Sequence, residues 1–327
     1  MIAVGGNALS PAGEPATVEN QFRHSREALA PILAFARAGW NVAVVHGNGP
    51  QVGDALLRNE LARDRVSELP LGVLVAATAG SIGYMIQQSL QNALAKAGID
   101  RRVVTLVTQV VVDTVDPEGM EPRKFIGRVI DPGRVEALRA TGVVIGEDSR
   151  GRLRRRVASP TPVRIVESEV TRELVEAGHI VIAAGGGGTP VYDDPELGLE
   201  GIDVVVDKDL AAALLASEIR ASALVILTDV DGVYRDWGTP DARRLDRLTT
   251  TEARALVEEG QVAKGSMRPK LRAAIQFVEG GGEFALIAAL EDAEGALRGE
   301  AGTMIRKATA RPLHDTRSDS ETRIDTE

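Results

Sequence analysis

Three lysines in this chain stand where a cation could hold an anion. Lys208 lies in Val205-Val206-Asp207-Lys208-Asp209, an apolar run that delivers an ammonium group to a predicted helix start. Helix N-termini favour acidic side chains, so a lysine there calls for an anionic partner. Asp207 and Asp209 can supply part of that balance and hold the ammonium in place, and a ligand phosphate could supply the rest. Taken alone, Lys208 reads equally well as a surface residue in an Asp-Lys-Asp salt bridge. Lys270 follows Lys264-Gly265-Ser266-Met267-Arg268-Pro269, another loop-to-helix start, and Lys124 sits beside Phe125-Ile126-Gly127 in an irregular stretch.

Four glycine-rich turns accompany these lysines: Gly5-Gly6-Asn7, Gly47-Asn48-Gly49-Pro50, Gly185-Gly186-Gly187-Gly188 and Lys264-Gly265-Ser266. Glycine lets backbone N–H groups approach an anion closely, and a helix beginning beyond the turn adds partial positive charge. Any one of them reads as an ordinary tight turn. Four on one predicted sheet edge point to an anion site.

The remaining residue types narrow the chemistry. The chain has no cysteine, hence no disulfide, thiolate metal site or cysteine nucleophile. His24, His46, His179 and His314 show no spacing that suggests a triad or a zinc site; His46 differs only in ending a strand before Gly47. No G-x-x-x-x-G-K-[ST] loop, H-R-D loop or G-x-S-x-G elbow is present. Phosphoryl transfer fits this equipment, because its transition state needs positioning and charge neutralisation more than a protein nucleophile.

The elements that must position these groups are legible as apolar runs. Val42 to Val45, Val103 to Val112, Ile180 to Ala184, Leu224 to Leu227 and Phe284 to Ala289 read as strands apolar on both faces. Helices are predicted over Val18 to Ala38, Leu71 to Ala97, Glu169 to Ala177, Asp209 to Ile219, Thr250 to Glu259 and Pro269 to Val278. The pattern predicts an α/β fold with a mainly parallel sheet covered on both sides. Between about Asp113 and Pro162, proline, glycine and charge dominate, which predicts an inserted subdomain at the sheet edge. The tail from Ala308 is polar and charged, and is expected to be disordered.

Composition bounds the setting. A 44% hydrophobic and 26% charged chain of 327 residues supports a sizeable core. The formal charge of −9 argues against an extended duplex-DNA surface. The basic run Arg150, Arg152, Arg154, Arg155 and Arg156 lacks interleaved aromatic residues and reads as a solvated or salt-bridged strand rather than a nucleic-acid site. The Gly- and Ala-rich stretch Leu71 to Ile86 falls short of the roughly 18 continuous apolar residues of a spanning helix. The start of the chain shows no secretory signal pattern, so the expectation is a cytoplasmic protein that binds neither nucleic acid nor membrane.

The ordered set of motifs resembles the amino acid kinase family, and within it the carbamate kinases. The matching segments are Gly5-Gly6-Asn7-Ala8-Leu9, His46-Gly47-Asn48-Gly49-Pro50-Gln51-Val52-Gly53, Ile82-Gly83-Tyr84, Ser159-Pro160-x-Pro162 and Ala184-Gly185-Gly186-Gly187-Gly188. They continue with Asp207-Lys208-Asp209, Leu227-Thr228-Asp229-Val230-Asp231-Gly232-Val233-Tyr234 and Gly265-Ser266-Met267-x-Pro269-Lys270. The resemblance implies an open three-layer α/β sandwich, with an acceptor-binding lobe over 1–188, a protruding subdomain within about 113–162 and a nucleotide-binding lobe over 189–307. It implies reversible phosphoryl transfer between carbamoyl phosphate and ADP, running towards ATP, with Mg2+ carried by the nucleotide and no metal held by the protein itself, in a homodimer. By the same resemblance Gly6, Asn7, Gly47, Asn48, Gly49, Gly186 and Gly187 surround the acid. Lys208 and Lys270 straddle the transferring group, with Asp207 orienting Lys208 and Lys124 reaching the acid from the subdomain. Thr228, Asp229, Val233, Tyr234 and Met267, with Lys270, frame the nucleotide.

The chain departs from the resembled pattern at three places. It has Lys124-Phe125-Ile126-Gly127-Arg128 where Lys-Pro-Ile-Gly-Pro is usual, Arg268 where glycine follows Gly-Ser-Met, and Thr78-Ala79-Gly80 for Ser-Gln-Gly. Three other readings stay open at this point. One is a kinase of the same family acting on another small acid, and another is a non-catalytic nucleotide-binding protein. The third is a dinucleotide oxidoreductase, prompted by Gly47, Gly49 and Gly53, whose spacing lacks the usual acidic residue at the end of a second strand.

Overall fold

Each of the five apolar runs expected as strands contributes a strand to one sheet. The computed structural model describes residues 1–5, 14–15, 17–148, 150–262, 267–292, 295–296 and 298–308. Gly6, Asn7, the Lys264-Gly265-Ser266 turn and the tail beyond 308 therefore lie outside the described residues.

In chain order the elements begin with β1 (Ile2–Val4), α1 (Val18–Glu27), α2 (Ala30–Arg37), β2 (Ala43–His46), α3 (Gly49–Ala62) and α4 (Leu71–Lys96). Next come β3 (Val103–Thr105), β4 (Gln109–Val112), α5 (Pro117–Met120), β5 (Lys124–Ile126), α6 (Val135–Ala140), β6 (Ile145–Glu147), β7 (Leu153–Val157) and β8 (Pro162–Ile165). The second half contains α7 (Ser168–Glu176), β9 (Ile180–Ile182), β10 (Thr189–Asp194), β11 (Gly198–Gly201), α8 (Lys208–Glu218), β12 (Ala223–Thr228) and β13 (Val233–Arg235). It ends with β14 (Arg243–Leu245), β15 (Arg247–Thr249), α9 (Thr250–Glu258), α10 (Met267–Glu279), β16 (Phe284–Ala289) and β17 (Thr303–Arg306).

The main sheet has the order β15-β17-β16-β12-β1-β2-β9-β3. Its central strands are parallel, with Val4 level with both His46 and Leu227, so their carboxyl ends open on one edge. Strand β17 runs antiparallel to β16. Successive side chains of a strand point to opposite faces, and both faces here are apolar. Ala3, Ala43 and Val45 pack on one side with α8 and α10, through Leu215, Leu271 and Phe277. Ile2, Val4 and Val44 pack on the other with α2 and α4, through Ile32, Phe35, Ile82 and Leu90. The fold is an α/β sandwich with a large, mainly parallel central sheet, as the pattern predicts. Among the described residues no helix is long and apolar enough to cross a membrane.

Two differences from the sequence reading have physical causes. The helix expected over Val18 to Ala38 is two helices, because Pro31 lacks a backbone N–H and its ring excludes the carbonyl of Glu27 from continuing the ladder. The run Val103 to Val112 is also two strands. After β3 the chain leaves the main sheet, Thr108 Oγ1 accepts a hydrogen bond from the Ala184 N–H, and β4 joins a second sheet of order β11-β10-β4-β8. Within the irregular stretch, β5, β7 and β6 form a three-stranded antiparallel sheet. The arginine run lies on and just before β7. Arg152 pairs with Asp148, Arg155 with Glu60, and the Arg156 guanidinium sits 4.8 Å from the Phe125 ring centre.

Phe277 is the largest fully buried side chain of the core and joins α10 to the main sheet. Phe277→Ala is expected to cost about 3–5 kcal/mol, read as a lower urea midpoint at unchanged slope. An unchanged midpoint would contradict this packing.

Candidate active site

The glycine turn after β9 is built by steric necessity. Ala184 has φ 48°, and Gly186, Gly187 and Gly188 have φ between 73° and 98°. Four left-handed residues in a row of five exclude most side chains on backbone grounds alone. Space excludes them too. A Cβ on Gly185 would lie 2.5 Å from His46 Nε2, on Gly186 2.3 Å from Asn48 Nδ2, and on Gly187 2.4 Å from the Val206 carbonyl oxygen. The turn is thus wedged between the end of β2 and the segment that enters α8. Asn48 is buried and its amide donates to Thr78 Oγ1 at 2.9 Å, while the Gly47 N–H donates to the Val4 carbonyl at 3.0 Å. Gly49 then opens α3, so three strand ends and two helix starts meet around the turn.

The lysines converge at the start of α8. Asp207 is the N-cap, its Oδ1 accepting from the Asp209 N–H at 2.9 Å. Its other oxygen accepts from Lys124 Nζ at 2.7 Å, across 83 residues of sequence. Asp209 takes the other two lysines: Lys208 Nζ donates to its Oδ1 at 2.5 Å and Lys270 Nζ to its Oδ2 at 2.9 Å. The expected pairing of Asp207 with Lys208 is therefore replaced. A capping carboxylate must face the backbone of its own first turn, which leaves Asp209 to hold Lys208, with Asp207 acting on it only through space.

Burial makes these charges matter. The Asp209 side chain is 5% exposed and that of Lys270 10%. Burial pushes the Asp209 carboxyl up, but the Lys208 and Lys270 charges outweigh it and hold it below the ordinary carboxylate range. Asp207 is likewise held well below that range, burial being overcome by the charge and hydrogen bond of Lys124. Lys208 is pushed down by burial against the pull of Asp209, whereas in Lys270 burial is outweighed by Asp209 and the ammonium is raised. All three lysines face two carboxylates, so the cluster carries one positive charge more than it neutralises. An added anion is what this excess of positive charge can hold.

Of the residues expected around a nucleotide, Thr228 and Asp229 stand at the carboxyl end of β12, Val233 and Tyr234 lie on β13 of a separate two-stranded sheet, and Met267 opens α10. Thr228 ends β12 and donates to the exposed Asp229 carboxylate at 3.0 Å; the charge of Asp229 also reaches Lys270. The Val233 N–H donates to Thr303 Oγ1 at 2.7 Å, and the Tyr234 hydroxyl donates to Asp231 at 2.9 Å. Trp237 packs edge-on against Tyr234 with ring centres 5.0 Å apart. Met267 is buried at the first position of α10, one turn before Lys270. Among the described residues no group of three or more His, Cys, Asp or Glu side chains converges to hold a metal.

Sequence reasoning gave Asp209 as a partner of Lys208 but not of Lys270, which lies 61 residues away. It named Thr78 only as part of a departure from the resembled motif and not as the partner of Asn48, 30 residues away.

The model of the amino acid kinase family matches residues 1–289, and this chain belongs to that family. Among its relatives are carbamate kinases. That of Pyrococcus furiosus is 43% identical over 309 residues, covering 93% of this chain and 98% of the other. That of Escherichia coli K12 is 45% identical over 306 residues, with the same shares covered. The solved carbamate kinase of Giardia lamblia bound to AMP-PNP superposes with a TM-score of 0.85 at 37% identity, covering 94% of this chain and 97% of that one.

His46 makes the site sensitive to acid. Its Nδ1 lies 3.1 Å from the Gly47 carbonyl, and burial lowers its pKa to about 4 against the smaller opposing pull of the Gly47 and Ala79 backbones. An imidazole in the unfolded chain titrates near 6.5. Between these values the unfolded state binds the proton more readily, so the contribution is full above about 6.5 and lost as pH falls towards 4. The stability advantage of the wild type over His46→Gln is expected to shrink by about 3 kcal/mol from pH 7 to pH 4. Parallel loss in both proteins would contradict a buried neutral imidazole.

Proposed function

We propose that this protein is a carbamate kinase, transferring the phosphoryl group of carbamoyl phosphate to MgADP. The observation that carries this reading is the convergence of Lys124, Lys208 and Lys270 on Asp207 and Asp209 beside the four-glycine turn. In the ATP-forming direction a β-phosphate oxygen of ADP attacks the phosphorus, the bond to the carbamoyl oxygen breaks, and carbamate leaves with that electron pair. Negative charge spreads over the transferring group while both ends are loosely bound, which is where fixed cations and N–H donors act most strongly.

In this reading Lys208 and Lys270 flank the transferring phosphoryl group. Gly186 and Gly187, with Gly47, Asn48 and Gly49, line the acid, and Gly6 and Asn7 complete that wall. Thr228, Asp229, Val233, Tyr234 and Met267 frame the adenosine. Asp209 keeps the two lysine ammoniums apart and aimed, and Lys124 exchanges Asp207 for the incoming acid. The cluster is cationic and suits a nucleotide that brings its own Mg2+. The lobes follow the chemistry: residues 1–188 bind the acceptor, with 113–162 as the subdomain bearing Lys124, and 189–307 bind nucleotide. A homodimer working in the cytoplasm completes the reading.

Coupled ATP formation from carbamoyl phosphate and MgADP tests it, and wild type is expected to turn over. Lys208→Ala and Lys270→Ala should each lower turnover by about 10²-fold or more. Lys124→Met should weaken carbamoyl phosphate while leaving ADP binding near normal. Unchanged turnover in a lysine variant would reject that assignment, and equal loss of both ligands in Lys124→Met would reject an acid-facing role.

A further inference from the structure

Lys124 is held at the site by a short strand that pairs with β7 and packs against α3 and α4. In β5, residues two apart share a face, so Lys124 and Ile126 point the same way. Ile126 is buried in a small apolar cluster with Val52 of α3, Leu74 and Val75 of α4, and Val205. Just beyond it, the Gly127 N–H donates to the Gly49 carbonyl at 3.1 Å. The backbones touch there: a Cβ on Gly53 would lie 2.0 Å from Gly127 Cα. The next residue, Arg128, then makes a two-pronged pair with Asp54, Nε donating to Oδ1 at 2.7 Å and Nη2 to Oδ2 at 2.9 Å. One turn and a half further along α3, Glu60 takes Arg134 at 3.3 Å and also Arg155 of β7.

This arrangement separates two jobs. Apolar burial of Ile126 brings the sheet against α3 but is non-directional. A bidentate guanidinium–carboxylate pair fixes orientation. Arg128 is also more than half exposed, and exposed pairs add little to global stability, so stability is a poor account of what this pair does. It stands four residues from Lys124, on the same strand and its exit turn, with only Phe125, Ile126 and Gly127 between.

We propose that Arg128 and Asp54 are positioning residues for Lys124. Their pair sets the register of β5 on α3 and thereby holds the Lys124 ammonium at the carbamoyl phosphate side of the site. This rests on the reading of Lys124 as facing the acid. The same pair explains how arginine serves at 128: it ties the strand down from outside, through a side chain.

The test measures steady-state kinetics and Tm of the full chain, varying carbamoyl phosphate and MgADP separately. Arg128→Ala is expected to raise KM for carbamoyl phosphate about 10-fold, with KM for MgADP and Tm at wild-type values. The exchange Asp54→Arg/Arg128→Asp should recover most of that loss. Added salt should raise KM for carbamoyl phosphate more in wild type than in Arg128→Ala, because an exposed pair is screened. An active wild type with an unchanged KM in Arg128→Ala overturns the proposal. So does a loss shared equally by both substrates and Tm, which would mark a structural role only. A wild type inactive on carbamoyl phosphate overturns the functional reading and this one with it.

Discussion

A carboxylate with only 5% of its side chain exposed, held between two lysine ammoniums, sets the geometry on which the rest of the site depends. Asp209 cannot be solvated, so its charge is tolerable only with Lys208 and Lys270 in hydrogen-bond contact. The converse also holds, since neither ammonium has another carboxylate bonded to it among the described residues. The backbone enforces this division. Because Asp207 caps α8, its second oxygen alone is free for a distant partner, and Lys124 takes it. One helix start therefore gathers three cations from three separated segments. Two carboxylates leave one positive charge over, and a phosphoryl group in transfer is the chemistry that uses it.

The glycine turn is the steric counterpart of that electrostatic constraint. Its residues approach His46, Asn48 and Val206 so closely that a single added carbon would displace the end of β2 or the entry to α8. Backbone N–H groups can thus stand next to the ammonium cluster with no side chain intervening. The sheet supplies the rigidity. β1, β2, β9 and β12 are parallel neighbours buried on both faces, so their carboxyl ends are held at one edge by packing on either side.

The main sheet was legible because strands buried on both faces leave continuous apolar runs, as at Ile180 to Ala184. The second and third sheets were not. β5 and β6 are short, β10 carries Pro190 and two aspartates, and the passage from β3 to β4 contains no glycine or proline to mark the change of sheet. Pro31 did mark the break between α1 and α2, but apolar periodicity ran through it. In the site, the lysines and the two flanking aspartates could be read, but not which carboxylate each lysine takes. Asp207 and Asp209 flank Lys208 symmetrically in sequence, and only the cap geometry makes one of them face the helix backbone and the other the cations. Arg128 was visible as a departure, but its partner Asp54 lies 74 residues away. Long-range pairing of that kind leaves no local pattern.

The claim that Asp209 organises the cluster is tested most directly by Asp209→Asn, followed by turnover and by Tm with and without saturating MgADP. Removing that charge leaves two buried ammoniums without a hydrogen-bonded carboxylate among the described residues. Tm is therefore predicted to fall in the free protein and to recover in part when nucleotide phosphates supply negative charge. Turnover of the folded, nucleotide-bound enzyme is predicted to fall about 10²-fold, since both lysines lose their fixed aim. Wild-type Tm and wild-type turnover in Asp209→Asn would contradict the account.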